Sequence, residues 1–273
     1  MILDNCLGVP YFREVMMRMI RKRVAHHRMI LVLVILLPAV ALWAQEHKSG
    51  HWGYEGDQGP SHWGELSPEF TLCESGHHQS PIDIRNPQKA DLPAIQVDYK
   101  PSPLHIIDNG HTIMINYAPG SFIEVGDKRY QLQQFHFHRP SEEHINGKAY
   151  EMSVHLVHAD DQGNTAVVAV LLQRGPDNSL VKELWSDLPQ EKEHEEDLDN
   201  VKINVKALLP SDLSYYTFPG SLTTPPCTEN VTWFVLKQPV TVSAAEIQRF
   251  EKLYRHNARP TEPLYDRVVL ETK

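Results

Sequence analysis

Three histidines with the spacing of β-strand residues constrain this chain more than any other feature. His136 and His138 lie two residues apart in the run 134–138, and His155 lies in a second apolar run, 152–158. Residues at i and i+2 of a strand point to one face, about 7 Å apart. Two imidazoles with this spacing can converge on one ion, and a neighbouring strand can supply the third.

The ligand set favours zinc. Three neutral nitrogen ligands suit Zn²⁺, and three histidines without a nearby cysteine leave a position for water, as in catalytic zinc sites. The alternative for an isolated His-x-His pair is a hairpin of surface histidines. Because a third histidine follows, we predict that His136, His138 and His155 bind Zn²⁺.

The first 44 residues have the pattern of an export signal. Basic residues in the segment 21–28 precede an uncharged apolar run, 29–44, that ends in small residues. This run is shorter than the about 20 residues of a membrane span. We predict a signal peptide over 1–44, a periplasmic or secreted protein, and no stable membrane association after cleavage. An uncleaved membrane anchor is the alternative.

Composition limits the function of the remaining 229 residues. The first 44 residues hold six Lys and Arg and two Asp and Glu, which leaves 20 basic and 33 acidic residues and a net charge near −13. Such a charge disfavours binding to nucleic acid. The acidic run 191–199 is interpreted as a solvated loop or helix surface. The length suits one all-β domain over 45–273.

Two cysteines, Cys73 and Cys227, follow the export segment. A zinc role for them would require further soft ligands, and the chain has no Cys-x-x-Cys motif. An even pair in an exported protein favours a disulfide. It would close a loop of about 154 residues, worth at most about 4–5 kcal/mol in the chain-entropy model.

Short alternating apolar runs between turn signals predict a mainly β fold. The predicted strands are 104–107, 113–117, 122–125, 142–145, 152–158, 167–172, 231–236 and 268–270. Turns are predicted at Asn109-Gly110, Gly126-Asp127 and Asn146-Gly147. Two helices are predicted, one capped by Ser179 and running to Trp185, and one opened by Ser243 with Glu246 and running to about Arg255.

Glu143 and Thr223 can orient a protonated ligand of the metal. An ionised carboxylate only accepts hydrogen bonds, whereas a threonine hydroxyl has one proton to donate. If Glu143 accepts that proton, the Thr223 oxygen can accept only from a protonated species, which selects water or hydroxide. Taken singly, Glu143 is an exposed strand charge and Thr223 a turn residue, and spacing does not show that they meet.

Six motifs in residues 51–273 resemble the α-class carbonic anhydrases of the bacterial, exported type. The motifs are His51-Trp52-Gly53-Tyr54, Gln79-Ser80-Pro81-Ile82-Asp83-Ile84, Asn109-Gly110-His111, Gln134-Phe135-His136-Phe137-His138, His155-Leu156-Val157-His158 and Ser221-Leu222-Thr223-Thr224-Pro225-Pro226-Cys227. The resemblance implies a large, twisted, mostly antiparallel central sheet with a few short peripheral helices. It also implies reversible hydration of carbon dioxide to bicarbonate and a proton by attack of zinc-bound hydroxide.

The resemblance also assigns roles to individual residues. It makes Glu143 and Thr223 the pair that selects hydroxide, and His111 the proton shuttle, for which an imidazole pKa near 6.5 is suited. Without it, His111 is an ordinary turn-flanking residue. The implied substrate pocket consists of Val157, Val167, Leu222, Thr223, Thr224 and Trp233, whose apolar members also serve as core. Ordered water is expected at Tyr54, Asn109 and Thr224.

The neighbours of the zinc ligands include one departure from the family. Gln134 and Ser153 are the expected hydrogen-bond partners of the ligands, but the family commonly has glutamate at the Ser153 position. We expect the Ser153 hydroxyl to accept from His155, directly or through water, unless another carboxylate has taken over this role. Met114 replaces a polar residue usual near the shuttle. Both changes affect rate and zinc affinity and not the reaction class.

Two other functions are compatible with the resemblance. A catalytically silent carbonic-anhydrase-like binding module typically lacks a zinc histidine, and this chain has all three. A zinc esterase of unknown natural substrate would use the same nucleophile. A homodimer is compatible with the sequence.

Overall fold

The computed structural model describes residues 50–273. The predicted signal peptide, residues 1–44, lies outside the described residues. No helix in residues 50–273 is long and apolar enough to span a membrane.

Strands predominate over helices in the described part of the chain. The strands are β1 (Asp83–Ile84), β2 (Gln88–Ala90), β3 (Ile95–Asp98), β4 (Ser102–Asp108), β5 (Ile113–Asn116), β6 (Phe122–Val125), β7 (Lys128–His138), β8 (His144–Ile145), β9 (Met152–Ala159), β10 (Thr165–Arg174), β11 (Glu195–Ile203), β12 (Tyr215–Ser221), β13 (Glu229–Leu236), β14 (Val240–Val242) and β15 (Leu270–Thr272). The α-helices are α1 (Trp63–Leu66), α2 (Leu72–Ser75), α3 (Ser179–Ser186) and α4 (Ala244–Glu251). Short 3₁₀ helices span Gly56–Gln58, Pro60–His62, Pro68–Phe70 and Val205–Leu208.

One sheet contains 13 of the described strands, in the order β11-β4-β5-β7-β9-β10-β13-β12-β15-β2. Strand β14 pairs with β10, β6 with β7, and β3 with β6. Most neighbours in this sheet are antiparallel, and the parallel pairs are β10–β13, β10–β14 and β15–β2. Strands β1 and β8 form a separate parallel pair. The predicted mainly β fold with a large, mostly antiparallel sheet is therefore confirmed.

The central strands are buried on both faces. Val168 and Val170 of β10 contact the main apolar core on one face, together with Leu156 of β9. Val167, of opposite parity on β10, packs with Trp233 in a second apolar cluster on the other face. A strand covered on both sides has a continuous apolar sequence, which is why the run 167–172 predicted a buried strand correctly.

The turn at Asn146-Gly147 is present, but the strand predicted before it is shorter. Asn146 and Gly147 have φ values of 52° and 81°, the left-handed conformation that these two residues tolerate best. Strand β8 has only two residues and pairs with β1. The turn therefore does not join β8 to β9 as a hairpin.

The two longer helices begin close to the predicted positions. For α3 the cap is Asn178 rather than Ser179, because the Asn178 side chain accepts from the N–H groups of Leu180 and Val181. For α4 the predicted capping box of Ser243 and Glu246 is present. This helix ends at Glu251, before the predicted Arg255.

The acidic run 191–199 lies mostly in β11, an edge strand of the sheet, rather than in a loop or on a helix. Charged side chains on an edge strand oppose pairing with another chain. The last strand is also displaced from its prediction, because β15 begins at Leu270 where the predicted strand 268–270 ends.

Cys73 and Cys227 form the predicted disulfide, with a Cα–Cα distance of 5.0 Å. Both cysteines are buried with Trp63 and Phe70. The bond joins α2 to the loop that contains Thr223, between β12 and β13.

Removal of this disulfide is expected to destabilise the fold. The double variant Cys73→Ser/Cys227→Ser should lower the free energy of unfolding by about 2–4 kcal/mol, because the unfolded chain regains the entropy of an open loop. Urea denaturation of the variant measures the loss, and the reduced wild-type protein is the control. Equal unfolding free energies for oxidised and reduced wild type would contradict this expectation.

Candidate active site

The pairing of β7 with β9 brings the three histidines together. Its register places His136 opposite His155, and His138 opposite Ser153. The ring centroids are 5.0 Å apart for His136 and His138, 5.5 Å for His136 and His155, and 4.5 Å for His138 and His155. One nitrogen of each ring lies within 4.8 Å of the other two.

Two of the rings have hydrogen-bond partners at Nδ1. Nδ1 of His136 lies 2.8 Å from Oε1 of Gln134, and Nδ1 of His138 lies 2.8 Å from the main-chain oxygen of Asn257. Because both partners are oxygen acceptors, each Nδ1 carries the proton and each Nε2 has a free lone pair. Nε2 of His138 is buried without a hydrogen-bond partner among the described residues. The donor set and this unpaired nitrogen fit a divalent metal such as Zn²⁺.

Burial keeps these two imidazoles neutral. Burial, with a contribution from His155, lowers the pKa of His136 to about 3. The pKa of His138 is also held well below its ordinary value, by burial and by the other two rings. A neutral imidazole is the form that binds a metal, so both rings are ready to bind one at neutral pH.

The third ring faces a carboxylate. Oε1 of Glu143 lies 2.9 Å from Nε2 of His155, and both side chains are buried. Burial alone would lower the pKa of His155, but the attraction and hydrogen bond of Glu143, with a contribution from Glu142, raise it. With Nε2 directed at Glu143, Nδ1 is the nitrogen of His155 that is left for a metal.

Glu142, rather than Glu143, is the carboxylate next to Thr223. The Thr223 side chain lies beside Glu142, close enough for its hydroxyl to lower the pKa of that carboxyl by hydrogen bonding. The main-chain N–H of Arg259 donates to Oε1 of Glu142 at 2.8 Å. Burial, with repulsion from Glu143, raises the pKa of Glu142 to about 7 despite these donors and nearby His155. The predicted Glu143–Thr223 pair is thus displaced by one residue, because two adjacent glutamates cannot be distinguished by spacing.

Ser153 does not take the position expected for it. Its hydroxyl accepts from the main-chain N–H of Glu142 at 3.4 Å. The acceptor beside His155 is instead the carboxylate of Glu143. Met114, the other departure from the family pattern, is half-buried and lies opposite His136 in the β5–β7 pair.

His111 lies in the loop between β4 and β5. Oδ1 of Asn109 accepts from the N–H groups of His111 and Thr112 at 3.0 and 2.9 Å, so Asn109 shapes this loop. The imidazole is half-buried and stacks on Trp52, with ring centroids 3.7 Å apart and an interplanar angle of 6°. Burial lowers the pKa of His111, with contributions from the neighbouring cations His51 and Lys192.

Asn257, which no sequence pattern marked, connects two parts of the site. Its Nδ2 donates to the main-chain oxygens of His111 and Phe137 at 3.0 and 2.9 Å. Its Oδ1 accepts from the N–H of Arg139 at 2.7 Å, and its own main-chain oxygen faces His138. No local pattern marks an asparagine that lies 119 residues from its histidine.

The predicted apolar wall is contiguous. Val157 of β9 is paired with Val167 of β10, and Val167 with Trp233 of β13. Leu222 packs against the same cluster. The indole of Trp233 lies 5.0 Å from the His155 ring, edge to face. The wall therefore adjoins the histidine cluster.

The remaining predicted residues are Tyr54, which precedes the first 3₁₀ helix, and Thr224, in the loop between β12 and β13. Tyr54 packs edge to face with Trp52 and Trp63. Burial raises its pKa, with contributions from Glu142 and Tyr254. The main-chain oxygen of Thr224 accepts from the N–H of Cys227 at 2.8 Å, which closes the turn after Thr223.

Comparisons with known proteins agree with this geometry. Residues 58–273 match the family model for eukaryotic-type carbonic anhydrase. A carbonic anhydrase of a Nostoc species is 42% identical over 229 residues, which cover 82% of this chain and 87% of that protein. A carbonic anhydrase of Pectobacterium carotovorum is 42% identical over 238 residues, or 87% of this chain and 97% of that protein.

A solved structure is similar as well. The α-carbonic anhydrase of Thermovibrio ammonificans, in complex with the inhibitor sulfanilamide, superposes with a TM-score of 0.79 at 41% identity. The superposition covers 82% of this chain and 99% of that chain. Sequence, fold and site agree, and the chain belongs to the α-carbonic anhydrase family, whose reaction is the hydration of carbon dioxide.

Proposed function

We propose that this chain interconverts carbon dioxide and bicarbonate as a zinc enzyme, with His136, His138 and His155 as the metal ligands. The supporting observation is the convergence of three imidazoles, two buried and one half-buried, each with an oxygen close to one nitrogen and the second nitrogen available for a metal. Zn²⁺ in such a site supplies a Lewis acid that ionises water near neutral pH, at the pKa of about 7 established for carbonic anhydrases.

Thr223 and Glu142 orient the nucleophile. The Glu142 carboxylate accepts the hydroxyl proton of Thr223, so the Thr223 oxygen can only accept a hydrogen bond from a protonated nucleophile. The nucleophile is thereby fixed in direction before substrate arrives. The main-chain N–H of Thr223 holds a substrate oxygen. These roles belong to the pair of Thr223 and Glu142, because Glu143 is directed at His155.

An apolar wall holds carbon dioxide beside the histidines. Carbon dioxide has no charge and no hydrogen to donate, so an apolar surface binds it without a desolvation cost to polar groups. Val157, Val167, Leu222 and Trp233 form this surface next to His155. Tyr54, Asn109 and Thr224 line the polar side, where ordered water connects the site to His111.

His111 moves the proton between the site and the buffer. Its stacking on Trp52 holds the ring at the half-buried position, and the main-chain N–H of His111 donates to Oδ1 of Asn109. A pKa below the ordinary value of 6.5 leaves the imidazole neutral at pH 7, so it can accept a proton from the site and release it to buffer.

The proposed location is the periplasm or the exterior of the cell. The export pattern of residues 1–44 and the Cys73–Cys227 disulfide support it, because disulfides persist in oxidising compartments. The partner there is the small-molecule pair of carbon dioxide and bicarbonate. The complete set of three histidines disfavours a silent binding module.

Loss of one ligand should remove metal and activity together. For His138→Ala we expect the zinc content to fall well below one per chain, with loss of carbon dioxide hydration and of sulfanilamide binding. Metal analysis, stopped-flow hydration and calorimetry measure the three properties. His105→Ala is the matched control, since His105 belongs to a second, more exposed group with Glu195 and Asp197. Zinc loss in the control but not in His138→Ala would overturn the assignment.

The assignment of Glu142 is tested by Glu142→Gln. The amide can donate to the Thr223 oxygen, so the hydroxyl proton is no longer directed away from the nucleophile. We expect hydration turnover to fall by about 10²-fold, the lower end of the range for groups that handle a proton in the transition state, while zinc is retained. Unchanged turnover in zinc-loaded Glu142→Gln would exclude this role.

The shuttle is tested by buffer dependence. His111→Ala should lower turnover in dilute buffer, and added imidazole should restore part of it, because a diffusing base replaces the missing side chain. His51→Ala is the matched control, since His51 is an exposed neighbour of His111. If His51→Ala shows the buffer-dependent loss and His111→Ala does not, the shuttle is His51.

A further inference from the structure

Glu143 is a buried carboxylate for which the reaction described above has no role. Its side chain is fully buried, and neither of its oxygens has a hydrogen-bond partner of good geometry in residues 50–273, nor has Nε2 of His155. A buried carboxylate without donors is costly unless it is paired. Its one ion-pair partner in this part of the chain is Nε2 of His155, at 2.9 Å.

We propose that Glu143 positions His155 as a zinc ligand, by accepting the Nε2 proton and directing Nδ1 at the metal. The proposal rests on the zinc site proposed above. Glu143 is a positioning residue, since it acts on the metal through the imidazole. Ser153 does not share this role, because its hydroxyl accepts from the main-chain N–H of Glu142 and makes no hydrogen bond to His155 in the described part of the chain.

The three ligands then have three different kinds of acceptor. His136 faces the side-chain amide of Gln134, His138 faces a main-chain oxygen, and His155 faces a carboxylate. A charged acceptor makes an imidazole a stronger donor to the metal than a neutral acceptor does, and it fixes the tautomer. His155 is therefore the ligand with the largest dependence on its partner.

The neighbouring contacts explain how two adjacent glutamates serve two purposes. The Glu142 carboxylate is held by the Arg259 N–H on the Thr223 side. Ser141 Oγ donates to the main-chain oxygen of Glu143 at 2.9 Å and accepts from the N–H of Tyr150 at 2.8 Å. These bonds fix the main chain on both sides of the pair, so each carboxylate has its own direction.

Zinc retention tests this role. We expect Glu143→Ala to release zinc to excess pyridine-2,6-dicarboxylate roughly 10–100-fold faster than the wild type, the typical effect of losing an outer partner of a ligand. Glu143→Gln keeps an oxygen acceptor without the charge, so its rate of zinc release should lie between those of Glu143→Ala and the wild type. Ser153→Ala is the matched control and should release zinc at the wild-type rate. If Glu143→Ala does not fold, the zinc release rate of Glu143→Gln is compared with that of the wild type instead.

A second readout separates positioning from structural support. In the Co²⁺-loaded protein, loss of the carboxylate charge makes the metal more electrophilic, so the pH-dependent change of the visible spectrum should move to lower pH in Glu143→Gln. Wild-type zinc release and an unmoved spectrum in Glu143→Gln would overturn the proposal. If the wild type itself holds no stoichiometric zinc, the zinc assignment fails instead, so the two failures are distinguishable.

Discussion

The antiparallel pairing of β7 with β9 is the interaction on which the site depends. Its register sets His136 opposite His155, and alternation along β7 adds His138 to the same face. Phe135 and Phe137 occupy the other face, in the main apolar core. A slip of one residue would put the phenylalanines at the site and the histidines in the core, so core packing enforces the register of the ligands.

Because the site is largely buried, a polar group there costs free energy unless it has a hydrogen-bond or ion-pair partner. The imidazoles of His136 and His138 are neutral because burial holds their pKa values low, whereas the closest carboxylate contact of the three rings, that of Glu143 with His155, raises the pKa of His155. Glu142 and Glu143 add negative charge in a region with low solvent access, and the pKa of Glu142 is raised accordingly. A divalent cation among the three rings would offset that charge, which is a physical argument for the proposed metal site.

Arg259 connects the site to the segment that contains Cys73, Gln79 and Ser80. Its guanidinium donates to the main-chain oxygens of Cys73 and Ser80 and to Oε1 of Gln79, while its main-chain N–H holds Glu142. Gln79 in turn donates to the main-chain oxygen of Cys227. The disulfide, the Thr223 loop and the carboxylate beside Thr223 thus share one buried network, in which removal of one member leaves others unpaired.

The sequence alone determined the features that arise from local periodicity and residue chemistry. Alternating runs predicted the strands, Ser243 with Glu246 predicted the start of α4, and three histidines at strand spacing predicted a metal site. Tertiary structure decided the features that depend on contacts between distant segments. It placed Glu142 beside Thr223, Glu143 beside His155 and the main-chain oxygen of Asn257 beside His138. Periodicity predicts which side chains lie on the same face of a strand or helix. The partner of a buried polar group depends instead on which distant segment packs against it in the folded protein.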